Sequence, residues 1–435
     1  MITIRSSINV NPFFIYKNSI LLFEIRSKSI LKLFRKLNKD SFLKYLATFI
    51  LINICLFFFV NKFNNLVSFN RDYYNAAVHF YEDPRITNKK FNFFKSSSVY
   101  DSQWYLEIAQ SGYPKINVNS KSIDLLNNDL HKYAFFPFYP LLLALINIPI
   151  NNLELTALYL SVAFMIIDFY LLYLFISLID TKKTAIKTAF LLFIYPLSIF
   201  YRSIFSEGLF LALLLLFTIF LFKKRFYLSA LFLGLSLITR PNGFPFVLLL
   251  FYDFYQSNKN LLNKEKIIKF VKLIFIMSFP LFMWLLFNYY QTNNLFAFLK
   301  VRDYLVKNSL FSSLITIINP LLNNLYRIIE FPFLPWHAFA DSKIEVISVI
   351  VVFYLLIKSK KYLDYRLWWI AFGFWIFPLV TTSLISYSRY QVVSFPIFYY
   401  FAKRLNNWQY AGVFLTFIIG LFILSLYFVN WYWFG

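Results

Sequence analysis

A chain of 435 residues that is 60% hydrophobic and only 14% charged is too apolar for a soluble fold and reads as a polytopic membrane protein. Its formal charge of +23 does not point to nucleic acid: the basic residues fall in short clusters between apolar runs, where cytoplasmic loops concentrate Lys and Arg and anionic lipids attract them. The single cysteine, Cys55, lies inside an apolar run, which leaves no disulfide framework and no thiolate metal site.

Residues 1–41 are basic and mixed, without a short apolar core and small-residue cleavage site, and are expected to lie along the cytoplasmic face. The wealth of Phe, Ile, Asn and Lys fits an AT-rich genome and hence a bacterium. The rest, 42–435, reads as one membrane domain. A spanning helix needs roughly 20 apolar residues, and the clear candidates are 43–61, 154–180, 204–222, 267–289, 344–358, 367–385 and 409–433. Shorter or broken runs occupy 134–150, 186–201, 226–239, 244–256 and 391–403, and a long hydrophilic loop covers 62–133. The fold class expected is therefore all-α.

Placing residues 1–41, the lysines at 182–187, "KKR" (223–225), "NKEK" (263–266), "KSKK" (358–361) and "AKR" (402–404) inside puts certain turns outside. These are "FYRSIFSEG" (200–208), "TRPNG" (239–243), "QTNN" (291–294), "SYSRY" (386–390) and the long loop. Every chemically interesting segment then gathers on one side. The proline-rich run at 134–150 would break this pattern as a span, so it is expected to re-enter or lie at the surface beside a wet cavity.

Within "VYDSQWYLEIAQSGY" (99–113), Asp101 has the chemistry of an N-cap, while Gly112 and Pro114 supply a stop. Helical projection places Asp101 with Trp104, Tyr105, Ile108 and Ala109, and turns Glu107 away as a bystander on a surface helix. Asp101 is thus either a cap or a catalytic carboxylate. Glu207 fits the dipole at a helix start, and Arg202 could meet lipid phosphate at the interface. Arg240 and Arg389 interrupt apolar runs, where charge is costly and usually faces a cavity or partner.

Three outward arginines and one acid suit an anionic lipid head group beside a base. No H-E-x-x-H, P-loop, G-x-S-x-G or D-x-D motif occurs in a plausible loop. Of the scattered histidines His79, His131 and His337, His131 stands beside Lys132, within reach of a phosphate or simply at the interface.

In order, "YDSQWYLEIAQSGY", "YAFFPFYPLLL", "PLSIFYRSIFSEGLF", "LITRPNG", "LFAFLKVRDYL" and "SYSRYQVVSFP" resemble the PIG-V family of mannosyltransferases, integral-membrane enzymes of the GT-C superfamily. The likeness runs from about 99 to 400. It implies a GT-C-like bundle of about 10–12 spanning or re-entrant helices. It also implies an inverting transfer of a sugar, mannose in the family, from a polyprenyl-phosphate carrier to a lipid or glycan hydroxyl outside the membrane. In that family the acid of the first outer loop is catalytic, which maps onto Asp101, and the family needs neither metal nor other cofactor. Arg202, Glu207, Arg240, Asn242, Arg389, Trp104, Tyr105 and His131 are the expected substrate-binding residues. The family commonly has Trp before the acid, where this chain has Tyr100. Two rivals use similar groups: a flippase for lipid-linked sugars, which would usually show two related halves, and a polymerase or ligase using a lipid diphosphate.

Overall fold

The structure, a computed structural model, describes residues 39–87, 89–116, 128–260, 262–306, 315–334, 342–381, 384 and 386–433. The basic segment expected at 1–41 lies outside these residues up to position 38, as does His337. Contacts divide the chain into two compact units, Met1–Leu56 and Phe57–Gly435. The described part of the first is the start of α1 (Lys39–Phe63).

The second unit is all-helical among its described residues. Helices satisfy their own backbone groups, which hydrocarbon surroundings demand. After α1 come the short loop helices α2 (Arg71–Ala76), α3 (Phe93–Ser96), α4 (Asp101–Ser111) and α5 (Asn128–His131). Next are α6 (Phe138–Ile150), α7 (Leu153–Ile179), α8 (Lys182–Ile194), α9 (Glu207–Phe222), α10 (Phe226–Leu237), α11 (Pro245–Ser257) and α12 (Asn263–Thr292). The remainder are α13 (Ala297–Val306), α14 (Ile315–Ile329), α15 (Lys343–Ser359), α16 (Tyr365–Thr381), α17 (Tyr387–Tyr390), α18 (Phe395–Arg404) and α19 (Asn407–Val429).

Four stretches among the described residues are long and apolar enough to cross a membrane: Phe42–Leu66, Leu153–Ile179, Asn263–Thr292 and Asn407–Val429. At about 1.5 Å per residue, even a helix of α19's 23 residues reaches roughly 34 Å, more than the ~30 Å hydrocarbon core. Side chains fix where these helices begin. The Asn152 amide oxygen accepts from the Leu155 N–H at 3.1 Å ahead of α7. Asn406 and Gln409 form a capping box at the start of α19.

The 13 residues of α6 cover only about 20 Å, too short to span. Leu141, Leu145 and Ile148 form an exposed apolar stripe on it, while Tyr139 and Leu143 pack inward with residues of α7. This run, expected to re-enter or lie at the surface, is among the apolar helices shorter than that crossing length.

The ends of α19 sort the chemistry of the unit. At its start, the Lys187 ammonium donates to the Asn407 side chain at 3.2 Å and sits over the Tyr410 ring. At its finish, the Val429 carbonyl accepts from Arg85 of the long loop at 2.6 Å. Lys187 and Arg85 of the long loop therefore meet opposite ends of a helix long and apolar enough to cross a membrane. Close packing elsewhere depends on glycine. A Cβ on Gly234 of α10 would lie 2.3 Å from the Met277 carbonyl oxygen of α12, so only glycine lets these helices meet.

Candidate functional site

Helix α4 is not the surface helix expected. Tyr105, Leu106 and Ile108 are buried, and Tyr105 and Leu106 join a core with Tyr139, Leu143, Leu158, Ile204 and Leu209. Gly112, at φ 72°, ends it as expected. Its start differs from expectation. Asp101 is the first helical residue and Tyr100, at φ 52°, holds the cap position without a capping side chain. The Asp101 carboxylate is instead drawn away by a guanidinium.

That guanidinium is Arg389. Its Nη1 donates to Asp101 Oδ2 at 2.7 Å, and its Nε donates to Glu207 Oε1 at 2.6 Å. The same Glu207 oxygen lies 2.7 Å from Nη1 of Arg240. Arg240 also donates to the Ser206 hydroxyl at 3.2 Å, which pairs with the Tyr105 hydroxyl at 2.8 Å. Burial pushes the Tyr105 phenol up to about 12, with Arg240 pulling the other way, so it remains protonated. Two carboxylates and two guanidiniums thus form one chain of contacts with no net charge.

Each member is placed by local structure. Glu207 opens α9, where the helix dipole favours an acid. Arg240 stands in extended backbone between the end of α10 and the turn Pro241–Gly243. Arg389 lies on the four-residue α17, entered through Ser386 at φ 61°. Glu345 at the start of α15 clamps that turn: Oε2 accepts from the Ser388 N–H at 2.6 Å and Oε1 from its hydroxyl at 3.0 Å. The Arg389 guanidinium lies 4.7 Å from the Phe200 ring centroid, 4.6 Å from Phe205 and 5.4 Å from Trp433. This wall holds the charge away from water, and cation–π attraction offsets part of that cost.

Two atoms within the network lack a partner. Glu207 Oε2 and Arg389 Nη2 are sealed from solvent with no hydrogen bond among the described residues. Asp101 keeps its Oδ2 on Arg389, and its side chain is 30% exposed against 2% for Glu207. Asp101 is therefore the member open to an incoming molecule.

The other expected residues separate into groups. Arg202 is buried and donates to the Ser198 carbonyl at 2.8 Å, the Ser198 hydroxyl at 3.0 Å and the Phe193 carbonyl at 2.8 Å. These bonds tie Arg202 to the segment 193–198 ahead of it. Asn242 is buried in the turn after Arg240. Trp104 stacks on Phe135 at 5.5 Å and meets the Phe80 edge at 5.2 Å, with His131 at 6.0 Å. Glu107, expected to be a bystander, pairs with buried Lys132 at 2.9 Å.

Residues not singled out by sequence complete the surroundings. Gln103 is buried, accepts from the Phe80 and Tyr81 N–H groups at 2.8 Å each, and donates to the Tyr81 carbonyl at 3.1 Å and to that of Ser98. It laces the long loop to α4. Asp168 of α7 is fully buried with neither oxygen hydrogen-bonded among the described residues, facing the Gly208 backbone.

No protein-family model, no curated protein and no solved structure matches this chain.

Proposed function

We propose that this membrane-embedded protein is an inverting glycosyltransferase. Its donor is a sugar, mannose by resemblance to the PIG-V family, on a polyprenyl-phosphate carrier, and its acceptor is a lipid or glycan hydroxyl. The observation that carries the reading is the 2.7 Å contact of Asp101 with Arg389, two residues 288 positions apart that the resemblance also selects. Glu207 and Arg240 join the same network from two further segments. In this reading the helices belong to a GT-C-like bundle in a bacterial cytoplasmic membrane, with the site facing outward.

The acceptor oxygen attacks the anomeric carbon as the bond from that carbon to the phosphate oxygen breaks. The Asp101 oxygen not held by Arg389 accepts the hydroxyl proton, and the phosphate departs with the bonding pair. Arg389, held rigidly by Glu207 and its aromatic wall, lies beside the base and can meet the charge growing on that phosphate. Arg240 reinforces it through the shared Glu207 oxygen.

The test is transfer by purified protein from a polyprenyl-phosphate sugar to a lipid acceptor, with Asp101→Asn in parallel. Loss of a general base should lower turnover by about 10²–10⁴-fold. Undiminished turnover in the variant removes Asp101 as base. Movement of the intact lipid-linked sugar across vesicles without covalent product would favour the flippase, and activity with a diphosphate carrier alone would favour the polymerase.

A further inference from the structure

We propose that Asn430–Trp433, the segment following α19, positions the Asp101–Arg389 pair, with Trp433 as the positioning residue common to both partners. Sequence hydropathy makes this segment the tail of an apolar span, yet α19 stops at Val429 and the backbone turns, with Trp431 at φ 63°.

Asn430 is the anchor. Its amide nitrogen donates to the Asn64 carbonyl at 2.9 Å and the Leu426 carbonyl at 2.8 Å. Its amide oxygen accepts from Arg85, and its backbone carbonyl accepts from the Asn70 N–H at 3.0 Å. One residue thus joins three points of the long loop to the end of α19, two through its side chain and one through its backbone carbonyl. Arg85 extends the tie: its Nε and Nη2 grip buried Asp83 at 2.9 and 2.7 Å, while Nη2 also reaches the Val429 carbonyl. A buried polar network of this kind fixes one arrangement of the backbone, because any shift leaves desolvated groups unpaired.

From that anchor, the two tryptophans reach the site. Tyr100, the residue before Asp101, has its ring 5.1 Å from Trp431 and 4.7 Å from Trp433. Tyr100 is a bulky residue at φ 52°, a conformation that persists only where its surroundings over-determine it. The aromatic box supplies that determination. The same Trp433 ring lies 5.4 Å from the Arg389 guanidinium. It therefore touches the residue that aims the carboxylate and the cation that receives it. Ordinary core packing would require neither the strained neighbour nor the shared contact.

As a statement about catalysis this rests on the glycosyl-transfer reading; as a statement about geometry it stands apart from it, and the experiment separates the two. Hydrogen–deuterium exchange is followed in wild type, Trp433→Ala, Trp433→Phe and, as a control on an exposed tryptophan, Trp408→Ala. Trp433→Ala should speed exchange of the amides of 100–105 and 387–391 by about tenfold, the size expected for losing two aromatic contacts. Trp433→Phe should recover most of that protection, and Trp408→Ala should change neither segment. Unchanged exchange at both segments overturns the proposal, as does an equal rise along α7 and α12, which would indicate general loosening. In the transfer assay, Trp433→Ala should lower kcat with donor KM nearly unchanged, and a raised KM at constant kcat also overturns the proposal. A wild type that transfers no sugar would count against the glycosyltransferase alone and leave the exchange result standing.

Discussion

Arg389 offers an internal comparison, because one guanidinium meets two carboxylates at nearly equal distance, 2.6 Å to Glu207 and 2.7 Å to Asp101. What differs is water: the Glu207 side chain is 2% exposed and that of Asp101 30%. A pair of charges about 4 Å apart gains about 1 kcal/mol in water but about 4 kcal/mol at an effective dielectric of 20. Glu207→Gln removes the carboxylate shared by two largely buried arginines, and should destabilise the fold by about 3–5 kcal/mol. Asp101→Asn leaves Arg389 still paired with Glu207 and should cost only about 1 kcal/mol or less. Reversible unfolding in mixed micelles, titrated with SDS, measures both on one scale. Paired with the transfer assay, the expected pattern is crossed: Glu207→Gln unstable, Asp101→Asn stable but inactive. Equal destabilisation by the two substitutions would refute the reasoning and make Asp101 a strut of the fold.

Two further outcomes test the framework around the site. Gly234→Ala places a Cβ 2.3 Å from backbone of α12 that cannot rotate aside, so α10 and α12 must part. Overpacking of this kind costs about 1–3 kcal/mol, and thermal unfolding in detergent should show a clear loss, whereas a neutral result would mean that the helices are spaced differently. In the connection between α15 and α16, burial opposes the charge of Asp364, yet the Arg366 side chain and its N–H outweigh it and hold the carboxyl below its ordinary value. Because the folded form is the stronger acid, this stabilisation is complete above the ordinary Asp value of about 3.9 and lost as pH falls through the folded one. Asp364→Asn should therefore flatten the acid limb of the stability profile, and an unaltered limb would remove Asp364 from it.

How far the sequence foretold this depends on the kind of signal each residue carries. Four of the seven expected spans fall on helices long and apolar enough to cross, α1, α7, α12 and α19, because hydropathy needs no knowledge of partners. The runs at 204–222, 344–358 and 367–385 instead carry helices α9, α15 and α16 of only 16 or 17 residues, because hydropathy does not show where caps and turns cut a run short. Arg240 and Arg389 were legible because charge amid apolar sequence demands a partner, and Glu207 as an acid where an outer turn meets a helix start. That demand does not name the partner, and Arg202, expected to face outward with them, donates to the Ser198 and Phe193 carbonyls. Glu345 escaped because an acid in the first turn of a helix looks like a dipole complement, whereas it holds Ser388 and through it the Arg389 turn. Asp101 invited a capping reading because local bonds are the ones a sequence displays, and a partner 288 residues away is not. Trp433 escaped for the opposite reason: in an aromatic, apolar run nothing marks the residue that leaves the helix.

The balanced charge of the network bears on how a phosphate would be received. An anion reaching Arg389 meets a cation already matched by two carboxylates, and the nearest exposed negative charge is Asp101 itself. Donor binding is therefore opposed by the group that the proposed chemistry requires. Asp101→Asn relieves that opposition while removing the base. Taking about 1 kcal/mol for two charges near 4 Å in a wet site, donor KM should fall about fivefold as kcat falls by 10²–10⁴-fold, approximate figures for loss of a general base. A joint fall of KM and kcat is the signature of relieved ground-state repulsion. Steady-state kinetics over a range of donor concentration reads both constants in one experiment. A KM that rises on this substitution would mean that Asp101 binds the donor rather than repels it, as a carboxylate accepting from sugar hydroxyls would, and the assignment of Arg389 to the phosphate would then fail.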